Sequence, residues 1–446
     1  VPGQPGGPLR WRPTGAAASS GTAPGSSRPL PEAAGPGAEP SHLIAAARGN
    51  GAKERTPVVD LLHEVDEWGP EKVVCVSDSK TGMRGVLVID NTARGTAKGG
   101  TRMSPSVTVT EIARLARVMT WKWAAVDLFH GGAKAGIRAD PKSTNKEEIV
   151  RAFARKLADQ IPAHYVAGLD MGMTECDAAI IQDELGDRGA AVGVPEALGG
   201  VAYDQLGVTG HGVAEAVAAA LERDGRSVRG SRIALQGFGA VGSAAARRLH
   251  DLGAQIVAIS TADGSVHEPD GLDVPSWLDA REEFGDACVA KAPAHQRIPR
   301  GSELLVDCDV LIPAAAQDVI DAQLAAEIRA ELLVEGANLP TTPEAREVLA
   351  DRGVTVVPDF IANAGGAIAA GFAMDARYSP FPPDPEEILR TVAAKTRDNT
   401  NAVLQLAQQR GVSSHQAALE LAQERVRTAM ALRGRLPAGV SGEGHA

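Results

Sequence analysis

The chain has 446 residues, 44% of them hydrophobic and 23% charged, and a formal net charge of -11 at neutral pH. That length exceeds what one core organises, so two folded domains are expected. The acidic balance argues against a nucleic-acid or anionic-membrane role, and no stretch approaches the roughly 20 apolar residues of a membrane span.

Residues 1–55 are rich in Pro, Gly, Ala and Ser without apolar periodicity, the composition of a disordered tail. Apolar runs at 72–76 and 85–89, separated by a turn-rich 77–82, predict a β-hairpin. Thr108 and Glu111 form a capping-box signature ahead of Ile112, Leu115, Ala116, Met119 and Trp123 at helical spacing. Lys122 falls in the last turn of that helix, where the dipole favours a cation. A second amphipathic helix is predicted over 147–161, and Asp170 sits in a glycine-flanked loop after it. Short apolar runs at 232–236, 256–260, 310–313, 332–335 and 354–357 alternate with helical patterns. Such alternation predicts a parallel, doubly wound α/β sheet covered on both faces. The stretch 385–432 reads as strongly periodic helix. The resulting division is a tail over 1–55, a substrate-binding and oligomerisation domain over 56–205, a dinucleotide-binding domain over 206–372, and C-terminal helices over 373–446 that pack back on the first domain.

Within the second domain, Gly237-Phe238-Gly239-Ala240-Val241-Gly242 follows a predicted strand and opens a helix at 244–249. In that context the first glycine makes the tight turn, the second admits a pyrophosphate, and the third allows close helix packing. Asp263, about 20 residues on, is the candidate acid for the ribose hydroxyls. An acid there favours NAD, while small Thr261 and Ala262 leave room for NADP. Four cysteines without a C-x-x-C pair and ten histidines without zinc-ligand spacing point to reduced thiols in a cytoplasmic enzyme and no metal site.

Three lysines, Lys98, Lys122 and Lys134, lie in a short glycine-punctuated stretch ahead of Asp170. The set suits a pocket that holds an anionic substrate and performs acid/base chemistry. The ordered motifs K-G-G-T-R-M at 98–103, M-T-W-K at 119–122, G-G-A-K-A-G at 131–136, G-L-D-M-G at 168–172, Q-G-F-G-A-V-G at 236–242, E-G-A-N at 335–338 and P-D-F-I-A-N-A-G-G at 358–366 resemble the glutamate/leucine/phenylalanine/valine dehydrogenase family. The resemblance runs from about Pro57 to about Met374. It implies an NAD- or NADP-dependent exchange of an L-amino acid with its 2-oxo acid and ammonia, in a homo-oligomer that is most often a hexamer. Lys122 matches the lysine that holds the α-carboxylate, helped by backbone at Gly99 and Gly100. Lys134 matches the catalytic lysine and Asp170 the acid that shuttles protons to the amine. Thr209 and Asn338 match positions that contact the nicotinamide and its ribose, and Asn363 an asparagine in the cleft.

The substrate side chain is the remaining question. Lys98 matches the lysine that meets the distal carboxylate of glutamate, which favours that substrate. Ala370 stands where glutamate-specific members carry a hydroxyl, Met173 where threonine is expected, and 192–195 lacks the usual T-G-K or T-G-R. Those departures keep a branched-chain or aromatic amino acid as the alternative, and a catalytically silent regulatory paralogue as a third reading.

Overall fold

A computed structural model describes residues 65–201 and 203–436; the expectations for residues 1–55 and for the last ten residues lie outside them. The described chain is a two-domain α/β structure built on two sheets.

The first sheet holds β1 (Lys72–Asp78), β2 (Met83–Asn91), β3 (Ala97–Met103), β4 (Gly131–Ile137) and β5 (Tyr165–Leu169) in the order β1-β2-β4-β3-β5. The β1–β2 hairpin forms as predicted, its turn closed by Asp78, whose Oδ2 accepts from Thr81 N (2.9 Å) and Thr81 Oγ1 (2.8 Å). Helices α1 (Val109–Ala125), α2 (Lys146–Lys156) and α3 (Glu175–Leu185) cover the two faces. Leu87, Ala133, Ala135 and Phe153 pack on the α2 side, and Val86, Val88, Ile112 and Ala116 on the α1 side, the period-2 alternation of a strand buried on both faces.

Strands β3, β4 and β5 are absent from the sequence reading, which sees only glycine motifs there. Their glycines serve close packing rather than turns. At Gly132 a Cβ would run into Thr120 of α1, and at Gly99 into the Ala133 carbonyl oxygen of β4. Glycine in a buried strand marks such approaches of backbone or helix. Gly99→Ala is therefore expected to break the β3–β4 pairing, read as loss of the cooperative thermal transition; a native Tm would refute the steric argument.

The chain then runs through α4 (Tyr203–Leu206) and α5 (Val208–Arg223) into the second sheet. Its strands are β6 (Arg232–Gln236), β7 (Gln255–Thr261), β8 (Gly264–His267), β9 (Arg297–Ile298), β10 (Val310–Pro313), β11 (Leu332–Val334) and β12 (Thr355–Val357), in the order β12-β11-β10-β6-β7-β8-β9. The first five of that order are parallel, and β8 and β9 add an antiparallel edge. The helices are α6 (Ala240–Asp251), α7 (Val274–Phe284), α8 (Ala322–Glu327), α9 (Pro343–Asp351), α10 (Asp359–Ala362) and α11 (Gly365–Ala376). Ile233 and Leu235 face one side of the sheet, with Val213, Leu221 and Leu249; Ala234 and Leu311 face the other, with Ala345 and Leu349.

The periodic tail forms two helices, α12 (Pro385–Arg410) and α13 (Ser414–Leu432). Gly411 divides them in a left-handed conformation (φ 65°) that suits glycine. α13 lies against α1, where Arg425 Nη1 donates to the carbonyls of Ala124 and Ala125 (both 2.9 Å).

Candidate active site

A cleft of about 620 Å³ is lined by Lys98, Gly99, Gly100 and Lys134 of the first sheet, by Lys122 of α1, and from residues beyond 205 by Thr209, Val241, Asn338, Asn363 and Ala370. Parallel register explains how the lysines meet. Lys98 of β3 pairs with Gly132 of β4, and Lys134 stands opposite Val88, whose side chain packs on α1. Residues two apart in a strand share a face, so Lys98 and Lys134 both point toward α1. Lys122, three turns along α1, completes the set.

The three cations are held differently. Lys134 Nζ lies 2.7 Å from Asp170 Oδ2, which also accepts from Arg102 Nε at 3.1 Å. Burial acts to raise the Asp170 carboxyl, but Lys134, the Met171 backbone and Arg102 outweigh it and hold it below the ordinary carboxylate value. Lys122 is pushed down by burial and by Lys134, against the opposing charge of Asp359. Lys98 is 5% exposed, and burial together with Lys134 pushes its ammonium down to about 7. Among the described residues no carboxylate pairs with it. Its head group occupies the space a side chain at Gly168 would fill.

Arg102 is the site residue that sequence reasoning missed. It stands inside the K-G-G-T-R-M motif, but its role needs the ends of β3 and β5 side by side. It also takes Glu111 Oε1 (2.6 Å from Nη1), so only half of the expected capping box forms: Thr108 accepts from Glu111 N (3.2 Å) while the glutamate turns to the arginine.

On the nucleotide side, Gly237 has φ 93°, and a Cβ there would stand 2.8–2.9 Å from Ala315; at Gly242 it would collide with the Gly237 carbonyl. At Gly239, the N-cap of α6, it would meet nothing. A cradle closed at its ends and open in the middle fits a pyrophosphate over a helix N-terminus. Phe238 is a correction: its side chain is in the core, so only its backbone, donating to Ser260 O (2.6 Å), borders the turn. Ala240 is exposed on the first turn of α6. Asn363 Nδ2 donates to Asn338 Oδ1 (3.0 Å) and Ala337 O (3.2 Å), and its own buried Oδ1 has no partner among the described residues, an acceptor suited to a carboxamide. Asp263 lies outside the cleft, exposed in the β7–β8 hairpin, its N–H donating to Thr261 Oγ1 (3.2 Å). Met173 and Val192 are also outside; Met173 is buried in an apolar cluster of the first domain and Val192 in one shared with Val208, Ile368 and Val392, so neither removes a hydrogen bond from the substrate pocket.

Residues 199–434 match the family model described as Glutamate/Leucine/Phenylalanine/Valine dehydrogenase, and residues 70–186 match its partner, the Glu/Leu/Phe/Val dehydrogenase dimerisation domain. The chain belongs to that family. It is an NAD(P)-dependent amino-acid dehydrogenase. The glutamate dehydrogenase of Thermotoga maritima is 35% identical over 79% of this chain and 87% of its own length. The NADP-specific glutamate dehydrogenase of Saccharolobus shibatae is 34% identical over 85% and 93%. Among solved structures, the hetero-hexameric glutamate dehydrogenase of Thermus thermophilus, in its Leu-bound form, superposes with a TM-score of 0.69 at 32% identity, covering 82% of this chain and 91% of that one. No helix of the described residues is long and apolar enough to cross a membrane.

Proposed function

We propose that the chain interconverts L-glutamate with 2-oxoglutarate and ammonia, acting as a homo-oligomer, by preference a hexamer, in the cytoplasm. The observation that carries the substrate is Lys98, a buried ammonium with no carboxylate beside it among the described residues, at one side of a cleft that already offers Lys122 for an α-carboxylate. An unpaired buried charge is costly, and a dicarboxylate relieves that cost where a leucine or phenylalanine side chain would not. Four free cysteines fit a reducing compartment, and the matched dimerisation domain supports self-association.

Lys122 and the backbone at Gly99 and Gly100 orient the α-carboxylate, and Lys98 fixes the far one. Thr209, Asn338 and Asn363 would hold the carboxamide and ribose end of a nicotinamide cofactor and the Gly237–Gly242 turn its phosphates; such a cofactor would supply hydride chemistry at the substrate α-carbon. Lys134 deprotonates the water that attacks the iminium and stabilises the carbinolamine. Asp170, 2.7 Å away, moves protons to and from the departing amine. Lys–Asp contact lets one proton be passed within the pair without a change in net charge.

A steady-state panel with ammonia, NADH or NADPH tests the reading by setting 2-oxoglutarate against 2-oxoisocaproate, 2-oxoisovalerate and phenylpyruvate. Higher kcat/KM for 2-oxoglutarate is expected; preference for an apolar oxo acid would refute it. The pH dependence has a definite sign. Lys98 is charged below its free-enzyme value of about 7 and neutral above it, so kcat/KM for 2-oxoglutarate should fall as pH rises through 7. In the complex the bound carboxylate restores the proton, so kcat at saturation should stay level to higher pH. A kcat/KM profile flat across pH 6–8 would show that Lys98 does not read the substrate.

A further inference from the structure

Behind the nucleotide side of the cleft, three titratable side chains from distant parts of the chain converge: Glu335, Asp359 and His415, with ligand atoms within 4.8 Å of one another. Glu335 follows β11, immediately before the cleft residues Gly336, Ala337 and Asn338. It is fully buried, and its Oε2 accepts from Asp359 N (2.9 Å) and from His415 Nε2 (2.8 Å). A carboxylate only accepts, so the imidazole donates. Its second oxygen, Oε1, has no partner among the described residues. Asp359 Oδ2 in turn accepts from Leu339 N (2.8 Å). Leu339 directly follows Asn338 and has φ +49°, a left-handed conformation uncommon for a leucine and held only where its surroundings enforce it. The turn is therefore pinned on both sides, by Glu335 before it and by Asp359 after it.

Among the described residues His415 makes the one direct side-chain hydrogen bond to Glu335, with the Thr341 hydroxyl and the Arg346 guanidinium also near enough to favour the anion; it comes from the first turn of α13, which packs on the C-terminal end of α1. Without His415, Glu335 would keep one backbone hydrogen bond and lose its direct side-chain donor. It would then be driven to take a proton or to seek water, and either response moves the backbone of Gly336.

We infer that His415 is a positioning residue for cofactor binding: its hydrogen bond to Glu335 holds the Gly336–Asn338 turn, and with it Asn338 and Asn363, in the form that accepts the nicotinamide end of NAD(P). The inference rests on the dehydrogenase reading above, and direct cofactor titration separates the two. NADH and NADPH are titrated by nucleotide fluorescence against wild-type protein, His415→Ala, His415→Gln and the double variant His415→Ala/Glu335→Gln, with kcat and KM for the cofactor measured in parallel.

Loss of the donor in His415→Ala should weaken cofactor binding by roughly ten-fold, the scale of one charge-assisted hydrogen bond, with kcat at saturating cofactor within about two-fold. The amide N–H of His415→Gln should restore most of the affinity. Glu335→Gln should restore part of it in the His415→Ala background, because a neutral carboxamide leaves no buried anion short of a donor; a merely structural histidine predicts no such recovery. His415→Leu, which keeps bulk without a donor, carries the same expectation if the alanine variant does not fold. Unchanged cofactor affinity in the donor-less variants, whatever happens to Tm, overturns the inference, as does an equal loss in His415→Gln. Wild-type protein that binds neither nucleotide overturns the dehydrogenase reading and the inference together.

Discussion

Lys134→Ala is expected to lower kcat by roughly 10³-fold or more, within the range for loss of a general acid–base group, while leaving cofactor binding and the fold intact. The fold survives because Asp170 keeps its second partner, Arg102, at 3.1 Å, so no buried carboxylate is stranded. The nucleotide cradle is built from residues of the second half of the chain, so the cofactor Kd should move by less than about two-fold. Single-turnover absorbance of the reduced nicotinamide together with a fluorescence titration checks both halves. Residual turnover above about a tenth of wild type would take Lys134 out of the catalytic role.

The second large effect is at Lys98. Lys98→Met should cost about 10²–10³ in kcat/KM for 2-oxoglutarate, the penalty for leaving one member of a buried ion pair alone, and should raise activity on 2-oxoisocaproate relative to wild type. The same change should raise the Tm of the free enzyme, because it removes a buried ammonium that no carboxylate among the described residues pairs with and substitutes an apolar chain of similar length. The combination is diagnostic. A merely structural lysine predicts a fall in Tm and equal losses on both substrates, and a less than ten-fold loss on 2-oxoglutarate would place the distal carboxylate elsewhere. Ala370, without a hydroxyl, lines the same cleft.

Much of this site is legible in the sequence because its chemistry is concentrated in short motifs. Lys98, Lys122, Lys134, Asn338 and Asn363 meet in one cleft, with Asp170 paired to Lys134 beside it. What the sequence hides is the scaffold beneath them. The strand signal comes from β-branched and aromatic residues, and β3 and β4 replace those with glycine and alanine so that backbone and α1 can approach. The same economy explains why Lys134, plausible as a turn residue in isolation, lies in the middle of a buried strand. Asp263 is found by counting: residues from the glycine turn lead to the end of β7, and the structure has Asp263 in the turn from there into antiparallel β8. Arg102 and His415 carry no local signal: each acquires its partner only when segments 68 or 80 residues apart are folded together. The break at Gly411 is the one tail feature that local rules could have supplied, since glycine after Arg410 is a helix-stop pattern.

The glycine-lined face of the first sheet also limits how the enzyme can change. At Gly99 and Gly100 any side chain would meet backbone, and at Gly168 it would meet the Lys98 head group. Those positions are closed to mutation while the pocket keeps its shape. Met119, Ala367 and Ala370, by contrast, line the cleft from helices, where a change of size does not disturb strand pairing. A lineage that acquires a new amino acid as substrate must therefore travel through Lys98 and this handful of helical positions. The order matters too, since giving up the lysine first yields a more stable protein that has lost its dicarboxylate substrate and whose activity on apolar oxo acids later substitutions at the helices can tune.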